Sequence, residues 1–159
     1  MKKIFTIIAL LAMTIAANAQ FEEGKKYLSA SLSGAGASYN STEELKFNID
    51  VQGGYFVADN WMITGLVGLN NPGKDMKNSF NVGAGLRYYV QQNGLFFGVK
   101  EKMAFSSGNS DLMPGAELGY AFFINDKVTI EPAVYYDMST KDFSDRSTVG
   151  LKIGVGIYL

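Results

Sequence analysis

Asp50, Glu117 and Glu131 are carboxylates of the kind that work in pairs as general acid and general base. The sequence also places Arg87, Lys100, Lys102 and Lys152 where the same faces would carry them, and such neighbours hold carboxylates ionised in a structural role. There is no His and no Cys in the 159 residues, which removes the commonest general base, the commonest transition-metal ligand and every thiolate site. Barrel enzymes of the acyl-transferring kind pair Ser with His, and that chemistry is absent. Asp137, Asp142 and Asp145 could grip calcium, but they lack the Gly placement and closing Glu of a calcium loop, so they read as a solvated acidic loop. Gly34-Ala35-Gly36 and Gly83-Ala84-Gly85 lack the third Gly and the following helix of a phosphate cradle and read as small, close-packed strand positions. Asn40-Ser41-Thr42 is formally a glycosylation sequon and reads as a loop. No catalytic, cofactor or metal site is expected, and the chain is expected not to be an enzyme.

The elements that carry these residues begin with an export signal. Lys2 and Lys3 precede an apolar run from Ile4 to Ile15, and Ala17-Asn18-Ala19 is a small-x-small cleavage site, so residues 1–19 are read as a signal peptide and 20–159 as one domain. No Cys follows the site, which excludes a lipid-anchored lipoprotein. Losing Lys2 and Lys3 takes the 14 basic residues to 12 against 15 acidic ones. That weak acidity gives no electrostatic reason to expect nucleic acid as a partner.

Beyond the signal no uncharged run is long enough for a membrane helix, yet apolar residues persist to the last position. They recur with a period of two. Val149, Leu151, Ile153, Val155, Ile157 and Leu159 alternate with Thr148, Gly150, Lys152, Gly154, Gly156 and Tyr158, about the length a tilted strand needs to cross a bilayer. Comparable stretches run from Leu45 to Tyr55, Trp61 to Leu69, Phe80 to Tyr89, Leu95 to Val99, Leu112 to Phe122 and Val128 to Met138. A weaker one from about Tyr27 to Ser38 makes eight. An even number lets first and last pair antiparallel and leaves no edge. Short turns are expected near Asp59, Asn93 and Asp126, and longer polar loops near Ser41, Gly73, Gly108 (Ser106 to Asp111) and Asp142. Tyr55, Trp61, Tyr88, Tyr120 and Phe122 flank the short turns on the apolar face, as an interfacial aromatic belt does.

Gly53-Gly54-Tyr55-Phe56-Val57-Ala58-Asp59-Asn60-Trp61 resembles the "G-Y-F-V-A-D-N" turn of the outer membrane beta-barrel domain family, and Leu86-Arg87-Tyr88-Tyr89 resembles its "R-Y-Y" strand. Gly119-Tyr120-Ala121-Phe122-Phe123-Ile124-Asn125-Asp126 looks like a second copy of the first turn. The end, Lys152-Ile153-Gly154-Val155-Gly156-Ile157-Tyr158-Leu159, is similar to the signal read by the barrel assembly machinery, with Leu in place of a final Phe. The resemblance spans nearly the whole mature chain. It implies an all-β, eight-stranded antiparallel up-and-down transmembrane β-barrel in the outer membrane, reached by export. The partners expected are membrane lipids, lipopolysaccharide and the assembly machinery, and the barrel is expected to be monomeric. On activity the resemblance is nearly silent.

The inward face would hold Lys46, Asp50, Arg87, Lys100, Lys102, Glu117, Glu131, Asp137 and Lys152, with Tyr89 and Tyr135. Eight strands enclose a space about as wide as side chains, so mixed charges there read as ion pairs filling the interior and not as a pore. Counting from the short turns pairs Arg87 with Glu131 and sets Asp50 and Glu117 deeper. Met62, Leu66 and Met113 are the hints of an apolar pocket through which a small hydrophobic solute could pass. The role expected is structural or surface-interacting and non-conducting. The alternative is a soluble periplasmic barrel of lipocalin type, which needs the apolar face inward. Glu101 is the misfit, since alternation aims it at lipid unless a bulge turns it or it lies at the outer rim.

Overall fold

The computed structural model describes residues 21–34, 47–71, 79–91, 93–106, 109–140 and 147–159. Its strands are β1 Lys26–Gly34, β2 Phe47–Ala58, β3 Trp61–Asn71, β4 Ser79–Tyr89, β5 Leu95–Ser106, β6 Asn109–Tyr120, β7 Phe122–Phe123, β8 Val128–Asp137 and β9 Thr148–Tyr158. β6 and β7 share one register against β8 and form a single stave, interrupted at Ala121, whose N–H donates to Gly94 O at 2.8 Å. Eight staves therefore pair antiparallel with their chain neighbours, and β1 closes the ring on β9 from Tyr27↔Tyr158 to Gly34↔Leu151. Closure leaves no edge strand to satisfy.

The ring is staggered. Partners followed from Tyr27 through Gly54, Thr64, Gly85, Lys100, Gly115 and Asp137 reach Thr148, whereas the β9 partner of Tyr27 is Tyr158, ten residues away. Such a shear goes with strands tilted by roughly 35–45° to the barrel axis. Because the offset is even, each strand keeps one set of alternating residues outside and the other inside all the way round.

The outer set is apolar: Leu28, Leu32, Ile49, Val51, Ile63, Val67, Leu69, Phe97, Val99, Val134, Leu151, Ile153 and Val155 are exposed on the wall. The lipocalin arrangement, with the apolar face inward, is thereby excluded for the described strands. The belt residues Tyr55, Trp61, Tyr88, Tyr120 and Phe122 also lie on this wall, with Trp61 against Tyr88 at 4.8 Å and Tyr120 against Phe122 at 4.4 Å between ring centroids.

The short turns have local causes. Asn60 takes φ 66°, a left-handed conformation that Asn tolerates better than other side chains. Gly94 has φ 75°, and a Cβ there would stand 2.7 Å from Ala121 O. Asn125 Oδ1 accepts from the N–H groups of Lys127 and Val128, each at 2.9 Å, which fixes the third turn. One expected loop is corrected. β5 runs to Ser106 and β6 starts at Asn109, so Ser106 and Asn109 to Asp111 are strand and not loop. The expected loops near Ser41, Gly73 and Asp142 lie outside the described residues, as do residues 1–19, Lys46, Asp145, Asn40-Ser41-Thr42 and the end of the first strand beyond Gly34.

Candidate functional site

Arg87 points inward from β4 and is 2% exposed. Gly98 is its partner on β5, and Glu117 is the partner of Gly98 on β6, so the three share one row. The missing side chain at Gly98 lets the guanidinium cross that row, and a Cβ there would stand 2.7 Å from Glu117 Cγ. Arg87 Nη2 and Nε donate to Glu117 Oε1 at 2.7 and 3.0 Å. Its Nη1 lies 3.1 Å from Glu131 Oε2, and its Nη2 donates to Gln52 Oε1 at 3.2 Å. The expected pairing with Glu131 is present. The expectation that Glu117 lies deeper is corrected, because strand tilt puts Glu117 and Glu131 on either side of one guanidinium.

Tyrosines complete the cluster. Tyr27 OH donates to Glu131 Oε2 at 2.6 Å and accepts from Arg87 at 3.1 Å. Tyr158 OH donates to Glu131 Oε1 at 3.0 Å, so in the 3.0 Å bond between the two hydroxyls Tyr89 is the donor, while it accepts from Arg87 at 3.1 Å. Thr129 Oγ1 donates to Glu131 Oε1 at 2.8 Å. Higher in the barrel, Lys152 binds Glu117, Lys102 binds Asp137, and Lys100 stands 3.2 Å from Asp137 and 3.8 Å from Glu117. Lys100 Nζ lies 5.1 Å from the Tyr135 ring centroid. Asp50 faces inward near these lysines. Gly83 and Gly85 also face inward, where a Cβ would meet the carbonyls of Glu101 and Val99 at 2.5 and 2.7 Å, in keeping with the close-packed reading.

Below the cluster lies an aromatic floor that the sequence reading missed. Phe21, Phe56, Tyr89, Phe96 and Tyr158 are buried together with Met62 at the short-turn end. Phe21 stacks on Tyr89 at 4.2 Å, and Arg87 Cζ sits 4.1 Å from the Phe96 centroid. The stretch before β1 is tied in by Phe21 O, which accepts from Asn60 N at 2.7 Å, by Gly24 N, which donates to Phe56 O at 2.9 Å, and by Glu23 N, which donates to Asp59 Oδ1 at 3.0 Å. Met62 belongs to this floor, whereas Leu66 lies beside Gly83 farther up, so they do not form one solute pocket near the loops.

Chemically the arrangement is a locked ionic pillar. Of the carboxylates that could have formed an acid–base pair, Glu117 and Glu131 are bound by fixed cations and hydroxyls, whereas Asp50 Oδ1 is buried without a hydrogen-bond partner. Among the described residues no group of His, Cys, Asp or Glu is placed to hold a metal ion. Glu101 is not in the pillar. Its side chain is exposed on the outer wall, the pairing on both sides runs without a register shift, and Met103 and Phe105 follow it outward, so neither a bulge nor a rim position accounts for it.

No family model and no curated protein matches the sequence. Solved structures do match in shape. The N-terminal β-barrel domain of OprF from Pseudomonas aeruginosa superposes with TM-score 0.57 at 14% identity, over 86% of this chain and 98% of that one. Neisserial surface protein A gives TM-score 0.54 at 14% identity, over 84% and 95%. The attachment invasion locus protein of Yersinia pestis gives TM-score 0.54 at 16% identity, over 86% and 99%. The chain therefore has the fold of the small eight-stranded outer membrane β-barrels, as its motifs implied.

Proposed function

We propose that this chain is an outer membrane β-barrel, exported with residues 1–19 removed, whose role is structural or surface-interacting and neither enzymatic nor conducting. The observation that carries the reading is the wall: apolar side chains cover the outside from β1 to β9 while Arg87, Glu117, Glu131 and Lys152 are enclosed. In lipid that distribution satisfies the backbone by ring closure and the charges by pairing. In water it would expose a continuous apolar surface far larger than soluble proteins present.

The surroundings that go with this role are membrane lipids and lipopolysaccharide on the wall and the assembly machinery during insertion. The attachment invasion locus protein, one of the structures matched, has also been determined in complex with the heparin analogue sucrose octasulfate. By analogy of fold, a surface partner for this chain would be met at the loop end. The non-enzymatic reading is supported by the absence of His and Cys and by the locked state of Glu117 and Glu131.

Two measurements test it. The protein should be recovered with the membrane fraction and released by detergent; a monodisperse species in the periplasm without detergent would refute the location. In planar bilayers the purified barrel should give no stable single-channel steps, because Arg87, Tyr89, Phe96 and Phe56 are fully buried across its lower interior. Arg87→Ala should raise leakage. Steps that are present in the wild type and vanish in that variant would refute the plug.

A further inference from the structure

Two prolines stand in the described strands, Pro114 on β6 and Pro132 on β8, and neither has an N–H to give to a neighbouring strand. The register decides which seam loses the bonds. Met138 N donates to Pro114 O and Ile124 N donates to Val128 O, each at 2.8 Å. In an antiparallel ladder such pairs alternate, so between the β6–β7 stave and β8 the even-numbered residues exchange backbone bonds. In that series Pro114 faces Met138 and Pro132 faces Tyr120, and each proline lacks the donor its position calls for. The ladder accordingly runs from Gly115↔Asp137 to Gly119↔Ala133, skips Tyr120 and Ala121, and resumes at Phe122↔Ile130. The other seams of the described ring run unbroken apart from one shift beside the turn at Asn60. The wall is also thin at the gap. Gly119, Ala121 and Ala133 are its small inner residues, and outside it lies an apolar groove lined by Leu118, Tyr120, Pro132 and Val134.

What spans this seam instead is charge. Arg87 of β4 reaches Glu131 of β8, Lys100 and Lys102 of β5 reach Asp137 of β8, and Lys152 of β9 reaches Glu117 of β6. Each of these ties joins a strand on the β6 side of the seam to one on the β8 side. We infer that the β6–β8 seam is a lateral gate in the barrel wall, weakened by Pro114 and Pro132 and latched from inside by these ion pairs. Elsewhere the wall is closed by continuous backbone ladders, which side-chain changes leave intact. Here the backbone contributes least and the side chains most, so loosening the latch parts β6 from β8 before any other pair of strands. The gap then joins the surrounding hydrocarbon to the ion-lined interior. The inference rests on the membrane reading above for what lies outside the gap.

The chain has no Cys, so a single thiol can report on each part of the wall. Ala133→Cys places one behind the seam, and Ser29→Cys places one at a similarly buried inward position in the middle of β1. The full-length mature protein is folded into phosphatidylcholine vesicles and exposed to N-pyrenylmaleimide dissolved in the lipid. Ala133→Cys should be labelled about tenfold faster than Ser29→Cys. Adding Pro132→Val returns an N–H to the seam and should slow labelling at Ala133→Cys towards the rate at Ser29→Cys. Adding Asp137→Asn removes the carboxylate that holds Lys100 and Lys102, and should speed labelling at Ala133→Cys about tenfold while leaving Ser29→Cys unchanged. Equal labelling of the two thiols, or no response to Pro132→Val, would overturn the gate. So would an equal rise at both thiols with Asp137→Asn, which would mark a loosening of the whole barrel. If Asp137→Asn does not fold, the first two comparisons decide. Insertion with equal labelling would overturn the gate alone, whereas failure to enter vesicles would overturn the membrane reading with it.

Discussion

Replacing Arg87 by Met should destabilise the barrel at the low end of what breaking a buried pair costs, about 3 kcal/mol out of a usual 3–5. The reason lies in what each carboxylate keeps. Glu117 retains Lys152 and Lys100, and Glu131 retains the hydroxyls of Tyr27, Thr129 and Tyr158. The two couplings should differ. Arg87 holds Glu117 through two donors at 2.7 and 3.0 Å but reaches Glu131 through one at 3.1 Å, shared with two tyrosine oxygens. Double-mutant cycles should therefore give roughly 2–3 kcal/mol for Arg87→Met with Glu117→Gln and about 1 kcal/mol for Arg87→Met with Glu131→Gln. The assay is denaturant unfolding from phosphatidylcholine vesicles, followed through Trp61, the single Trp, which sits on the outer wall and is not part of the cluster. Additivity within about 0.5 kcal/mol in both cycles, or a larger coupling to Glu131, would refute the assignment of the pillar.

The same assay reaches the wall, the floor and the row. Ile153→Arg should cost roughly 2–4 kcal/mol as a charge on the lipid face, and Lys152→Ala clearly less, because Glu117 keeps Arg87; equal tolerance would mean the apolar face does not meet lipid. Phe21→Ala removes a ring that is 3% exposed and should cost about 3 kcal/mol, so an unchanged midpoint would detach residue 21 from the floor. Gly98→Ala should cost about 1–3 kcal/mol by driving a methyl into Glu117, and Glu117→Gln should not relieve it, since the carboxyl and the amide occupy the same space.

The strands were legible because one face of each must be apolar, and a period of two survives any detail of pairing. Glu131 was placed correctly for the same reason, since it lies a few residues from a turn. Glu117 was set too deep because counting along each strand ignores the climb of rows around a sheared barrel, and the sequence does not state the shear. Gly98, whose empty Cα lets Arg87 through, was the available clue. Phe56 and Phe96 were legible in principle: each alternates with outward neighbours, Tyr55 and Val57 in one case and Phe97 in the other. Phe21 was not, since it precedes every strand and owes its burial to tertiary contacts alone. The misplaced loop between Ser106 and Asp111 came from composition: polar residues can continue a hairpin where it rises beyond the apolar band.

The Arg87 cluster has a consequence for how the barrel comes into being. Its members are contributed by β1, β2, β4, β6, β8 and β9, and Tyr27 and Tyr158 come from opposite ends of the described chain. A half-built sheet holding β1 to β5 carries Arg87 with neither of its carboxylates. Adding β6 supplies one, but Glu131 receives its full set of donors only when β9 docks on β1. Completion of the cluster and ring closure are thus one event, and partial sheets keep unsatisfied polar groups until the last strand arrives. The cluster acts as a checkpoint on completeness, favouring the closed ring over every open intermediate and making assembly close to all-or-none.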